Sequence, residues 1–407
     1  MRILFLLLVF LLLLPISALA SDAPTIFVAS DLHYISPELT DHGAYFTRMI
    51  EGGDGKMVHY CEAITDAFVQ EVIDKRPDCL ILSGDLTFNG AKKSHEDLAA
   101  KLRPIQESGV PVYVMPGNHD VYCYAAASFS GDGYALEQGT TSEDFSSIYH
   151  DLGFDDAVSR DPYSLSYIAE PMPGVWILML DVNTQFMRGA VAQNTFSWLD
   201  KVLAKAQETG IKVVAVSHQN LYAHSNLLYE GYVIANASML ESRYEKYGVA
   251  ANLSGHLHMQ HIMDPEGKVP EIATSSLAVS PCQYGVIELS GDHADYRTQS
   301  VDVSAWAAAN GKTDPNLLSF RQYAAGFFAI TAIRQAAAQL TSDPDPSAMA
   351  TWLGNLNAAY FCGRMDTVDP ESEYAMRWMK SDTFFGQYVR SILSEPLRNH
   401  TKYAFPL

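Results

Sequence analysis

Basic residues are scarce in this chain of 407 residues: 27 lysines and arginines face 47 aspartates and glutamates, a formal net charge of −20. Holding a polyanionic nucleic acid takes basic stripes that displace counterions, so no nucleic-acid polymer is expected as a partner. The deficit leaves a small phosphate ester open, because a bound metal ion inverts the local field. Cysteine is scarce as well. Cys61, Cys79, Cys123, Cys282 and Cys362 are scattered, with no CxxC pair. An odd number leaves at least one thiol free; one disulfide is possible if the protein is exported. Low hydrophobicity, the mark of a disordered chain, is missing too, since 48% of residues are hydrophobic.

Long apolar runs are missing except for Ile3 to Leu14. That run is too short to span a bilayer, which takes about 20 residues. Arg2 precedes it, and Pro15 and Ala18-Leu19-Ala20 follow, the order of an export signal with a small-residue cleavage site. Residues 1–20 are therefore expected to be removed, with an uncleaved anchor as the alternative. The mature chain is expected to lack a transmembrane segment and to be secreted, periplasmic or held at the cell surface. No cysteine stands at the cleavage site to carry a lipid.

From Thr25 onward, short β-rich runs alternate with helical patterns. Thr25 to Ser30, Cys79 to Leu82, Val112 to Met115, Val175 to Leu180, Lys212 to Val216 and Ala250 to Ser254 read as strands. Ile64, Phe68 and Val72 mark one face of a helix over Val58 to Lys75. Ser94, with Asp97 three on, is expected to open another. Buried strands separated by helices predict an α/β layered domain over 24–300. From about Val301 the texture becomes helical. Asp314-Pro315 is expected to open a long helix with Phe320, Tyr323, Phe327 and Ile330 on its apolar face. Further helices follow near Met349 to Phe361 and Asp382 to Leu393, giving a helical C-terminal domain over 301–407.

Most of the strands end in residues that bind metals: Asp31-Leu32-His33, Gly84-Asp85, Gly117-Asn118-His119-Asp120, His218, and Gly255-His256-Leu257-His258. Each alone has a bland reading as a polar turn or a core histidine. Together, in α/β sheets that gather ligands at the carboxyl ends of strands, they predict one site. Two ions about 3.5–4 Å apart can clamp the attacking and leaving oxygens of a phosphoryl transfer. A carboxylate in a tight turn suits the bridge between them, hence Asp85. Imidazoles complete the shells, and Asn118 supplies a neutral oxygen. Fe, Mn, Zn and Co all accept such donors, and availability decides among them. His119 is not needed as a ligand and can protonate the leaving oxygen; Asp120 is expected to hold its ring in the right tautomer. His95, His224 and His261 lie near the motifs and are candidates for lining the substrate pocket.

The five blocks in this order resemble the calcineurin-like metallophosphoesterases over about Thr25 to Ser300. The resemblance implies a four-layer α/β/β/α sandwich of two mixed sheets. It implies one metal on Asp31, His33, Asp85 and His258, a second on Asp85, Asn118, His218 and His256, and His119 as the catalytic histidine. Asp54-Gly55-Lys56, Leu82 to Gly90, Ser94 to Leu98 and Gly255 to Ile262 further resemble exported bacterial phosphoesterases of the cyclic-nucleotide phosphodiesterase type, which carry a helical C-terminal domain. Phe88 stands three residues after Asp85, where purple acid phosphatases place a tyrosine, and no arginine flanks Asp85 or Asn118 as in the protein phosphatases. The expected activity is hydrolysis of a small phosphodiester such as a 3′,5′-cyclic nucleotide. A phosphomonoesterase or nucleotidase, or an inactive binding protein on the same fold, are the alternatives. Oligomeric state is not readable.

Overall fold

The structure, a computed structural model, describes residues 23–340 and 343–407, so the expected export signal lies outside the described residues. Two large mixed sheets form its centre. The first has six strands in the order Lys402–Pro406, His293–Ser300, Gln283–Ser290, Thr25–Ala29, Cys79–Leu82 and Val112–Val114. The second has seven, in the order His261–Met263, Glu271–Ala273, Ala251–Ser254, Lys212–Ser217, Val175–Leu180, Tyr167–Met172 and Ser159–Arg160.

Alternation along the strands explains the stacking. In Val175–Leu180, Ile177 and Met179 join the apolar core shared with the first sheet. Trp176, Leu178 and Leu180 point the other way and pack with Phe196, Leu199 and Leu203 of the helix Thr195–Thr209. The period of two sends successive side chains to opposite faces, so a strand buried on both faces reads as an unbroken apolar run. The first sheet's outer face is covered by the helices Cys61–Lys75 and Lys92–Glu107, through Phe68, Val72, Leu98 and Leu102. The result is the four-layer sandwich.

Thr25–Ala29, Cys79–Leu82 and Val112–Val114 run parallel to one another, as do Lys212–Ser217 and Ala251–Ser254. Parallel strands end on one edge, and the loops leaving these five carry the candidate donors.

Several local readings change. Ser94 does not open its helix, which starts at Lys92; the Ser94 hydroxyl instead accepts the Ser36 N–H. Asp314 caps only a short helix, Pro315–Leu318, and a break at Ser319 precedes Phe320–Ala337. In that second helix Phe320, Ala324 and Phe328 are buried while Ile330 is exposed, because the break rotates the apolar face. Residues 402–406 are not helical: they form the edge strand beside His293–Ser300. All five cysteines are free thiols, three of them buried, so none is bridged.

Candidate metal centre

The carboxyl-terminal loops turn hard. Asp31, His33, Asp85, His256 and His258 all sit at positive φ, between 45° and 68°. Left-handed backbone in residues with a Cβ costs of order 1–3 kcal/mol each and persists only where the surroundings impose it. The glycines beside them are needed for space. A Cβ on Gly117 would lie 2.2 Å from Oδ1 of Asp85, and one on Gly255 would lie 1.8 Å from Oγ of Ser30.

These turns gather donors into two groups. Asp31, His33, Asp85 and His258 offer atoms within 4.8 Å of one another, and so do Asp85, His218 and His256. Asp85 belongs to both. The amide oxygen of Asn118 joins the second group, 3.1 Å from Nε2 of His218.

Hydrogen bonds aim the donors. Oδ2 of Asp31 accepts from the Ser30 hydroxyl and the His256 N–H, leaving Oδ1 turned inward without a partner. Nδ1 of His218 lies 2.9 Å from the Ser83 carbonyl, which places its proton there and frees Nε2 for the site. His256 uses Nε2 in the same way, 3.2 Å from the Gly231 carbonyl, and keeps Nδ1 for the site. Nε2 of His33 and Nε2 of His258 face each other at 3.0 Å. Lone pairs converging in a buried space are costly unless something positive stands among them.

The electrostatics run the same way except at His218, where burial lowers the imidazole but Asp85 beside it raises it further, to about 9. Burial works against charge on Asp85, but His218 and His119 hold its carboxyl well below the usual range. Burial likewise opposes ionised Asp31, and His258 and His218 together outweigh it. Burial pushes His33 well down and His256 down to about 4, which keeps both in the neutral, ligating form. Imidazoles, carboxylates and one amide oxygen fit two transition-metal cations.

Residues 24–260 match the family model of the calcineurin-like phosphoesterases, more than half of the chain. The chain belongs to that family. Residues 302–399 match a second model, the C-terminal domain of cyclic nucleotide phosphodiesterase. No curated protein matches the sequence. Among solved structures, the phosphoesterase is similar to a dimetal phosphatase from Danio rerio at 14% identity and a TM-score of 0.49, over 69% of this chain and 96% of that one. It is similar to a purple acid phosphatase from yellow lupin seeds at 13% identity and a TM-score of 0.46, over 69% of this chain and 52% of that one. It is also similar to GAP50, the anchor in the inner membrane complex of Plasmodium, at 11% identity and a TM-score of 0.39, over 69% of this chain and 85% of that one.

In this phosphoesterase His119 stands at the open side of the centre. Its side chain is 35% exposed, against 2% for Asp85. Nδ1 donates to the Phe88 carbonyl at 2.9 Å, and Nε2 lies 3.9 Å from Oδ2 of Asp85. The Phe88 carbonyl, rather than Asp120, therefore orients the ring. The Asp120 carboxylate is turned away and accepts the N–H groups of Leu86, Thr87 and Gly117. It ties the Asn118 loop to the Asp85 loop by satisfying three buried N–H groups.

The three candidate pocket histidines lie elsewhere. His95 is fully buried behind Asp120, bonded to the Tyr149 hydroxyl and the Asp120 carbonyl. His224 and His261 pair with each other through Nδ1 atoms at 3.0 Å. They border a separate cavity of about 340 Å³ whose lining contains none of the donors gathered around Asp85. Proximity in sequence did not translate into proximity in space.

Two groups that sequence reasoning gave no role do reach the centre. The Asp54 carboxylate lies 3.6 Å from Nδ1 of His258. Arg188, far along the chain on the hairpin of Asn183–Thr184 and Met187–Arg188, donates to the carbonyls of Asn118 and Tyr122. No arginine flanks Asn118 in sequence, yet one stands beside it in space.

Proposed function

We propose that this protein is an exported, binuclear, metal-dependent phosphoesterase that hydrolyses a small organic phosphodiester, with 3′,5′-cyclic nucleotides as the leading substrate class. The observation that carries the reading is Asp85: it is common to both donor groups and faces Nε2 of His119. When bound, two such cations lower the pKa of water towards neutrality and neutralise charge on the phosphoryl oxygens. Asp31, His33, Asp85 and His258 would hold one of them, and Asp85, Asn118, His218 and His256 the other.

The chain's own groups do the rest. His119, held through Nδ1 by the Phe88 carbonyl, presents Nε2 to the departing oxygen and gives it a proton. Arg188 braces the Asn118 backbone and brings positive charge to the rim. Beyond Tyr122 a cleft of about 900 Å³ opens, lined by Arg160, Tyr163, Phe186 and Met187. Phe186 is 90% exposed, an apolar surface suited to stack on a planar organic group. That cleft suits a phosphate ester with a planar organic arm, and the match of residues 302–399 supports a diester among these. The export part of the reading rests on the signal pattern of residues 1–20.

The test is metal analysis with turnover of bis-p-nitrophenyl phosphate, p-nitrophenyl phosphate and 3′,5′-cyclic AMP by one preparation. Two equivalents of metal and preference for the diesters are expected. Preference for the monoester would make it a phosphatase, and metal without turnover of any of the three would make it a binding protein.

A further inference from the structure

The loop that carries two of the donors is built into the C-terminal helices. His256 and His258 alternate with Leu257 and Met259, which are 4% and 0% exposed. Both pack into one apolar cluster with Leu353, Leu356, Tyr360 and Trp378. Just beyond, the Gln260 N–H donates to the Phe361 carbonyl at 2.9 Å and its side chain to the His400 carbonyl at 3.0 Å. The Ile262 N–H goes to Nδ1 of His400 at 3.0 Å.

A second connection is independent of the first. Gly55 has φ of +90°, and a Cβ there would lie 2.6 Å from the Phe328 ring. The helix Phe320–Ala337 thus rests directly on the turn Asp54-Gly55-Lys56. Asp54 in turn points at the His258 ring and pairs with Lys56 at 3.3 Å. Among the described residues, no C-terminal side chain joins either donor group. The helices approach the centre only through these intermediaries.

We propose that the C-terminal helices are a positioning element of the metal centre. They hold His258 from both sides: its backbone through Leu257 and Met259, and its ring through an Asp54 strap pinned under Phe328. The Asp54 carboxylate stands 3.6 Å from Nδ1 of His258, an ion-pair rather than a hydrogen-bond distance, and a carboxylate on the far side of a ligating imidazole favours one ring orientation and raises its basicity. The cation held by Asp31, His33, Asp85 and His258 therefore depends on the C-terminal segment.

The proposal rests on the two-metal reading and is tested in the full chain, by chelator competition with Mn²⁺ and Zn²⁺ beside the melting midpoint of the metal-free protein. Asp54→Asn is expected to weaken one of two metal equivalents by about 10–100-fold with the metal-free midpoint unchanged. Phe328→Ala is expected to weaken the same equivalent less, and Phe328→Leu to restore most of it. Wild-type constants in both Asp54→Asn and Phe328→Ala overturn the proposal. So does a Phe328→Ala protein that only melts lower while binding metal normally, since that is scaffolding alone. A wild-type chain that takes up no metal overturns the underlying reading instead.

Discussion

Two of the buried histidine and carboxylate clusters, one around Asp85 and one around Glu271, differ in how their lone pairs are used. Around Glu271 everything is closed: its carboxylate accepts the N–H groups of Leu221 and Tyr222, the Asn252 amide and Nε2 of His224. None of His224, His261 and Glu271 has positive φ. Around Asp85 the backbone is strained at five positions and Oδ1 of Asp31 accepts no hydrogen bond. Strain together with unspent lone pairs separates a site prepared for cations from a polar network that is complete in itself.

The comparison can be broken at either end. The largest effect is expected at the open cluster. Asp85→Asn removes the donor common to both groups, and should lose metal and cut turnover by more than the roughly 10²–10⁴-fold a single general acid supplies. Full metal content with a normal rate would end the bridging assignment. His119→Ala should keep both metal equivalents and lose about 10²–10⁴-fold on esters with poor leaving groups, much less on p-nitrophenyl esters. An equal loss on both kinds of ester would remove the proton-donor role.

At the closed cluster, His224→Ala leaves buried partners on Glu271 and His261 unsatisfied, at a cost of about 1–3 kcal/mol in denaturant melts. Metal content should not change, and metal loss there would erase the distinction drawn above. The smallest effect concerns Glu395, whose carboxylate lies 3.4 Å from His261. Burial raises its pKa from 4.5 to about 7, against a weaker hydrogen bond from Tyr360. The folded state holds this proton more tightly than the unfolded chain. Its contribution is therefore most favourable below about 4.5 and is lost as pH rises towards about 7. Glu395→Gln should flatten that part of the melting-midpoint profile, which an unchanged profile would refute.

The strands, the layered α/β class and the strand-end donor motifs were legible because each is written in contiguous residues. Asp31-x-His33 and His256-x-His258 need only their own turn to read as paired donors. What the chain order hid was tertiary. Arg188 lies 70 residues from the Asn118 carbonyl it braces. Asp120 looked like a partner for the adjacent His119, but the N–H groups of Leu86 and Thr87 on the Asp85 loop and of Gly117 on its own loop claimed its carboxylate. His95 and His261 are near the motifs in number and behind them in space. The helical reading failed over 402–406, where Tyr403 and Phe405 alternate in a pattern too short to distinguish from a frayed end.

That last strand has a consequence for how the protein is made. Its neighbour His293–Ser300 is synthesised about a hundred residues earlier and pairs with it along five positions. Until 402–406 arrives, the longer strand His293–Ser300 is itself the edge, a template of unpaired N–H and C=O groups for another chain; the strand that covers it is shorter and carries Lys402 and Pro406, residues that discourage edge pairing. Closing so long a loop is slow, and high contact order of this kind leaves intermediates exposed to aggregation. Chains truncated before residue 402 should accumulate as inclusion bodies even though every metal donor is already present in them.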